Sequence, residues 1–496
     1  MAADVTHRHD APESDRPWSI ETNGIEPIPE ADRHGTPFDL FWIWCGANIG
    51  ILGITYGAFL LFQGLNFWQA FLAGLLGTVL SFLLVGYISL AGKLGSAPTL
   101  VLSRAAFGVR GNALPTLLSY VSLVGWETFL VAIATLGTAG VLDRLGWMHG
   151  KPALAVSFVV ILGVTIWIGM LGHATIVKIQ QWFTWTFAVL TVAFIAFEAG
   201  KIHWHTVASL PAGNFGAFLG GVSIIAAGLG IGWVNAGADY SRYLPRTASS
   251  RAVVWWTVVG ASAAPIVLIT FGILLAANDP SKIGSAISPA DLAGGLPTWF
   301  LVPYLVVAAG GLIAGAVLDV YSGGLNLLTL GVKLPRYQSV LIDAVIMLIG
   351  NIYFLFLSND LGNLTTTFLG FLITLGVAMS AWSAIFLVDL GTDRMRVGYD
   401  ERDLYRADGR YGSANAAALI AYLVAMFVGF GMVLSFSPIF SWCGYLLKWF
   451  GWDTGVIANS SLGVLIAFFV AGILYAVLTP LFRRGPARER VNSAAA

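Results

Sequence analysis

From residue 38 almost to the end of the chain, long apolar stretches alternate with short polar ones. Twelve of the stretches are long enough to cross a hydrocarbon core, which takes about 20 residues at 1.5 Å each. They cover residues 38–62, 68–91, 113–138, 153–172, 179–199, 215–236, 253–276, 299–327, 338–357, 364–389, 414–436 and 459–482. The pattern therefore predicts an all-helical membrane domain over 38–482 with about twelve spans. The polar stretches between them are short, the longest being 391–413, and leave no room for a soluble domain. Residues 1–37 are polar, with scattered Pro, Glu, Asp and His. They lack the basic, apolar and small-residue succession of a cleavable leader, and are expected to form a disordered cytoplasmic tail. Residues 483–496 form a second, basic cytoplasmic tail.

Two of the apolar stretches are interrupted. The first contains four glycines in the thirteen residues from Cys45 to Gly57, a costly composition for a helix interior. The sixth repeats the feature from Gly228 to Gly237. Glycine is abundant in this chain, at 58 residues, so close helix packing would account for either run alone. Their separation by five spans, with Asn48 and Asn235 beside them, points instead to broken helices in two inverted repeats, spans 1–5 and 6–10. The binding site then lies near the membrane midplane, where the freed backbone groups meet.

Composition and charge refine this picture. Apolar residues make up 57% of the chain and charged residues 10%, against about 25% in soluble domains. Lys and Arg accumulate in cytoplasmic loops. With the N-terminus inside, 21 of the 26 basic residues fall in the cytoplasm, leaving Arg144, Lys151, Lys201, Lys282 and Lys448 outside. One missed span would scramble that division. An inner (plasma) membrane protein with both termini cytoplasmic is expected. Cys45 and Cys443 lie in or beside apolar segments and give neither a disulfide framework nor a metal site.

The loop after the second span reads Arg104-Ala-Ala-Phe107-Gly108-Val-Arg-Gly111. Gly125-Trp126 follows in span 3, Gly232-Trp233 with Ala238-Asp239-Tyr240 at the end of span 6, and Asp319-Val-Tyr321-Ser322 in span 8. In this order the four motifs resemble the nucleobase:cation symporter family, specifically its purine and cytosine permease branch. The resemblance covers residues 38–440. It implies a five-plus-five inverted-repeat (LeuT-like) core with two added C-terminal helices. It also implies a secondary transporter importing a nucleobase with a proton or sodium ion.

A flat heterocycle is held by aromatic faces, each contributing roughly 1–3 kcal/mol, and selected by polar groups at its edge. Trp126, midway along span 3, is expected to supply one face and Trp233 the second. Gly230 stands where some relatives have an aromatic residue and would leave room for a two-ring purine. Asp319, an acid inside span 8, would accept a pair of N–H donors or carry the coupled proton. Gly53 and Thr55 are expected to face substrate from the broken part of span 1, with Asn48 nearby. Glu127 points about 100° away from Trp126 on a helix and is expected to pack against a neighbour. Asp239 and Arg242, with Asp389 ending span 10, suit a gate or a structural ion pair. Leu130 replaces a polar residue that some relatives carry, and departs from their pattern.

Sodium-coupled relatives bring Ser or Thr hydroxyls from span 8 to the ion. The stretch 308–318 has none, which favours proton coupling. The expected ligands are a nucleobase and the bilayer, with no nucleic acid, metal, cofactor or obligatory protein partner. No intramembrane His and Glu pair or Gly-x-Ser-x-Gly turn suggests an enzyme. The competing readings are a sodium-coupled carrier of another heterocycle such as allantoin or a hydantoin, an amino-acid carrier, and a non-transporting membrane sensor.

Overall fold

The computed structural model describes residues 17–278, 296–357, 361–435 and 437–482. Its helices follow the apolar stretches. We label them α1 (Asp39–Asn48 and Leu52–Phe62), α2 (Phe67–Gly95), α3 (Ala113–Arg144), α4 (Gly150–Leu171), α5 (His173–Ala199) and α6 (Phe215–Gly228, then a single turn Gly230–Trp233). The others are α7 (Ser250–Asn278), α8 (Leu301–Thr329), α9 (Arg336–Ile352), α10 (Leu361–Asp389), α11 (Ala416–Gly431) and α12 (Gly463–Phe482).

Among the described residues ten helices are long and apolar enough to cross a bilayer, or eleven with the two halves of α1 counted as one span. Helix α11, with 16 residues, falls just under the usual span of about 17–25, so a count of twelve rests on it.

Span lengths repeat between the two halves. The spans of α2 and α7 have 29 residues each, those of α3 and α8 have 32 each, and those of α4 and α9 have 22 each. Counterparts also meet, since α3 packs along α8 and α2 along α7. Helices α11 and α12 pack on each other and on α10, outside the ten-helix core.

The breaks fall where glycine is dense. The halves of α1 meet at 59° around Ile49–Gly50–Ile51. Helix α6 stops at Leu229, whose φ of −117° and ψ of −102° no helix can continue. The Tyr56 hydroxyl donates to the Gly228 carbonyl at 2.9 Å, so one broken helix satisfies backbone freed by the other. A Cβ on Gly57 would stand 2.6 Å from Ile273 N, so glycine there lets α1 lie against α7.

The Arg-x-x-Phe-Gly loop is a staple. Arg104 donates to Leu404 O at 3.1 Å and to Thr329 O at 2.9 Å, and Phe107 packs edge-on against Tyr422 of α11. Gly108 takes φ +82° where a Cβ would run into Ala414.

The stretch expected as a disordered tail is corrected in part. Residues 1–16 and 483–496 lie outside the described residues, but 17–37 pack under the core. Glu21 is 1% exposed there. Its carboxylate accepts from Arg242 at 3.1 Å, from Tyr321 at 3.2 Å and from the Tyr243 hydroxyl. Its second oxygen accepts from His173 N at 2.8 Å and pairs with Arg336 at 3.6 Å. Composition misses this because one acid meeting two buried arginines leaves no periodic trace.

Replacing Glu21 with alanine strands two buried guanidinium groups and is expected to cost about 3–5 kcal/mol. Thermal unfolding in detergent measures it, and Glu21→Gln, which keeps one acceptor oxygen, is expected to fall between alanine and wild type.

Candidate functional site

A cavity of about 570 Å³, counting its opening to solvent, lies between the two breaks and is walled by α1, α3, α6, α7 and α8. Each wall follows from a local rule. On the second half of α1, Leu52, Gly53 and Tyr56 face the cavity, the i, i+1, i+4 face of a helix. On α8, Gly311, Gly315 and Asp319 make an i, i+4, i+8 stripe, with Leu312 beside it. On α7 the wall includes Pro265, which lacks an N–H and so leaves the carbonyl of Ala261 without its helical partner.

The aromatic walls are braced. Trp126 stands edge-to-face with Phe368 of α10, centroids 4.9 Å apart, and its indole lies over Gly232. Trp233 stands edge-to-face with Trp44 at 5.6 Å, and Trp44 likewise with Tyr240 at 5.6 Å. Two χ angles locked by such contacts present a rigid, neutral face to a flat ligand.

One wall is acidic. Asp319 is 2% exposed, and its Oδ2 has no hydrogen-bond partner. A buried polar oxygen without a partner costs free energy that a bound donor would recover. Asn48 also lines the cavity, its amide donating to Trp44 O at 2.8 Å. Leu130 brings an apolar side chain to the same wall.

Of the residues singled out in the sequence, Gly53, Trp126, Trp233, Asp319 and Asn48 come together here. Thr55 does not line the cavity; it follows Gly53 by two residues and so faces away from the wall. Gly230 is also displaced. A Cβ there would stand 2.5 Å from Phe82 N of α2, and its N–H donates to Ser81 Oγ at 3.1 Å. The glycine serves helix contact, and the glycine of this turn that lines the cavity is Gly232. The break at Leu229 resets the helical phase, which counting along an unbroken helix misassigns.

Asp239 and Arg242 do not pair with each other. Asp239 accepts from Thr99 N at 2.7 Å and Thr99 Oγ1 at 2.8 Å, while Arg242 serves Glu21. Asp389 pairs with Arg394 at 2.9 Å. Sequence reasoning missed Tyr56, Gly232, Pro265 and the Gly311–Gly315 pair. The spacing of those two glycines from Asp319 was the available signal.

Residues 27–451 match the family model for permeases of cytosine/purines, uracil, thiamine and allantoin. The putative purine-cytosine permease YxlA of Bacillus subtilis is 27% identical over 488 residues, which span 96% of this chain and 99% of that protein. The purine-cytosine permease FCY2 of Saccharomyces cerevisiae is 26% identical over 300 residues, 58% of this chain and 54% of that one. Among solved structures, Mhp1, a nucleobase-cation-symport-1 family transporter in a closed conformation with bromovinylhydantoin bound, superposes with a TM-score of 0.69. It is 18% identical, over 95% of this chain and 96% of that one. A Na+-coupled sialic acid symporter gives 0.62 at 12% identity, over 90% of each chain. At these identities the structures speak for the shared fold.

Gly230→Ala and Gly232→Ala are expected to fail in different ways. The first must push α6 off the α2 backbone and lowers the melting temperature. The second places a methyl 3.3 Å from Trp126 Nε1, and weakens ligand binding with little change in melting. Melting in detergent together with equilibrium binding of a labelled nucleobase separates the two.

Proposed function

On the premise that the chain belongs to the family of permeases for cytosine/purines, uracil, thiamine and allantoin, a multi-pass membrane transporter and not an enzyme, we propose that it imports a purine or pyrimidine nucleobase by proton symport. Cytosine, adenine and hypoxanthine are the candidate substrates. The observation that carries this reading is Asp319, an acid with an unpartnered oxygen in a cavity walled by two braced tryptophans.

A neutral ring stacks on Trp126 and Trp233 without a charge to match. An exocyclic amino group, as on cytosine or adenine, can donate an N–H to the Asp319 carboxylate. Apolar Leu130 and the glycines of α8 leave Asp319 and Asn48 as the polar groups that choose among bases. The names of the relatives support the substrate class: FCY2 is called a purine-cytosine permease and YxlA a putative one.

Proton coupling draws on the 308–318 stretch of α8, which has no hydroxyl to offer a sodium ion, and on the intramembrane acids. The transporter sits in the plasma (inner) membrane with both termini cytoplasmic. That orientation draws on the distribution of Lys and Arg, and it puts Glu21, Arg242 and Arg336 at the cytoplasmic end. Substrate entering from outside meets the Trp126 and Trp233 cavity before that end opens.

The test is uptake of labelled cytosine, adenine, hypoxanthine, uracil and allantoin into cells expressing the chain. Sodium is replaced in one arm and the proton gradient collapsed in another. Nucleobase uptake abolished by a protonophore and indifferent to sodium is expected, and sodium dependence with protonophore resistance overturns the coupling. Trp126→Ala is expected to raise KM roughly 5- to 150-fold, the loss of one stacking face, with Trp126→Phe much closer to wild type. Equal KM values in the two variants overturn the stacking role.

A further inference from the structure

The acid beside Trp126 does not line the cavity. Glu127 is fully buried, and neither of its carboxylate oxygens has a hydrogen-bond partner. The contacts of α3 with α8 locate it. Leu130 lies 3.2 Å from where a Cβ on Gly315 would stand, and Ser119 Oγ accepts from Asn326 Nδ2 at 2.7 Å. The helices run antiparallel, eleven residues separating the two contacts on each, so Trp126 and Glu127 are level with Asp319 and Leu318.

A third acid, Asp343 of α9, lies on the other side. Its Oδ1 accepts from the Tyr120 hydroxyl at 2.7 Å, and its Oδ2 has no partner and faces Gly323 of α8. Tyr120 precedes Glu127 by seven residues, two helical turns, and so shares its face. Three acids thus form a row through α3, α8 and α9, from the cavity toward the end where Glu21, Arg242 and Arg336 meet. Among the described residues Glu127 has neither a counter-charge nor a hydrogen-bond donor, a costly arrangement for a carboxyl inside a membrane helix.

We propose that Glu127 is the proton-binding site of the transport cycle, receiving its proton from Asp319 at the cavity and passing it on to Asp343. This rests on the reading of the chain as a proton symporter. In each transfer the donor acid becomes a carboxylate and the acceptor a neutral acid, so one negative charge moves back along the row as the proton advances. The three carboxyls do not form a metal-holding group among the described residues. A proton, which needs one oxygen, suits the row. Arrival of a substrate N–H donor favours the Asp319 carboxylate and sends its proton on to Glu127, so that proton and substrate are held together and the row's occupancy is tied to the cavity's.

The experiment uses the full chain in proteoliposomes with labelled cytosine and labelled adenine. It measures uptake driven by an imposed proton gradient, nucleobase exchange without a gradient, and nucleobase-induced proton movement with a pH dye. Glu127→Gln is expected to lose gradient-driven accumulation roughly tenfold or more, together with the dye signal, while exchange persists. Glu127→Asp, which retains a carboxyl one methylene shorter, is expected to keep coupling with a displaced pH profile. Wild-type coupling in Glu127→Gln, or loss of exchange along with it in a chain whose melting is unchanged, overturns the proposal. If Glu127→Gln does not fold, a Glu127→Asp profile identical to wild type overturns it. Wild-type vesicles that exchange nucleobase but respond to sodium alone overturn the proton reading itself, an outcome separate from a coupled wild type with a coupled Glu127→Gln.

Discussion

The hydrogen bond from the Tyr56 hydroxyl to the Gly228 carbonyl holds the two broken helices to one another, and the cavity depends on it. Inside a bilayer no water is at hand for backbone groups that a helix leaves open, so a break survives only where protein or solute completes it. Helix α1 breaks at Gly50 and α6 at Leu229, and the space between those points is the cavity. Close packing around them excludes lipid and leaves the space to a ligand. Gly57 admits α7, and Gly230 admits α2. Glycine thus does two jobs in these segments, opening the backbone at one position and sealing the helix contact a few residues away.

Charges are handled in opposite ways at the two levels of the core. Under the cavity, Arg242 and Arg336 are buried and matched by Glu21, with Tyr243, Tyr321 and His173 completing the donors and acceptors. Such a cluster is costly to assemble and more costly to leave half-made, which suits an end that either closes fully or opens fully. In the row that starts at the cavity, Asp319, Glu127 and Asp343 pair with no cation among the described residues and retain unpartnered oxygens. Matched charge holds a conformation, and unmatched acid stores the capacity to take up a proton or a donor.

How legible the site was follows from helical geometry. Asp319 stood out as a candidate because an acid inside α8 is expensive away from a function, and Trp126 because its motif put it midway along α3; both line the cavity. Thr55 and Gly230 were misplaced because both lie near a break, and a break changes the phase by which side chains alternate between faces. Tyr56 was passed over because its value lies in a hydroxyl reaching a carbonyl 172 residues away. Glu21 was passed over for a similar reason, since its partners sit on three different helices.

Hydropathy and span length are local properties, and for this chain they sufficed for the all-helical membrane fold and its long apolar helices. Local glycine density and four short motifs were also enough to point to the transporter family. The tertiary structure decided which face of each helix meets the cavity, that residues 17–37 join the core, and that Glu127 lies between two other acids. Those outcomes depend on how α3, α8 and α9 are set against each other and on where a backbone break resets the helical phase, and neither is encoded within the span of a single helix.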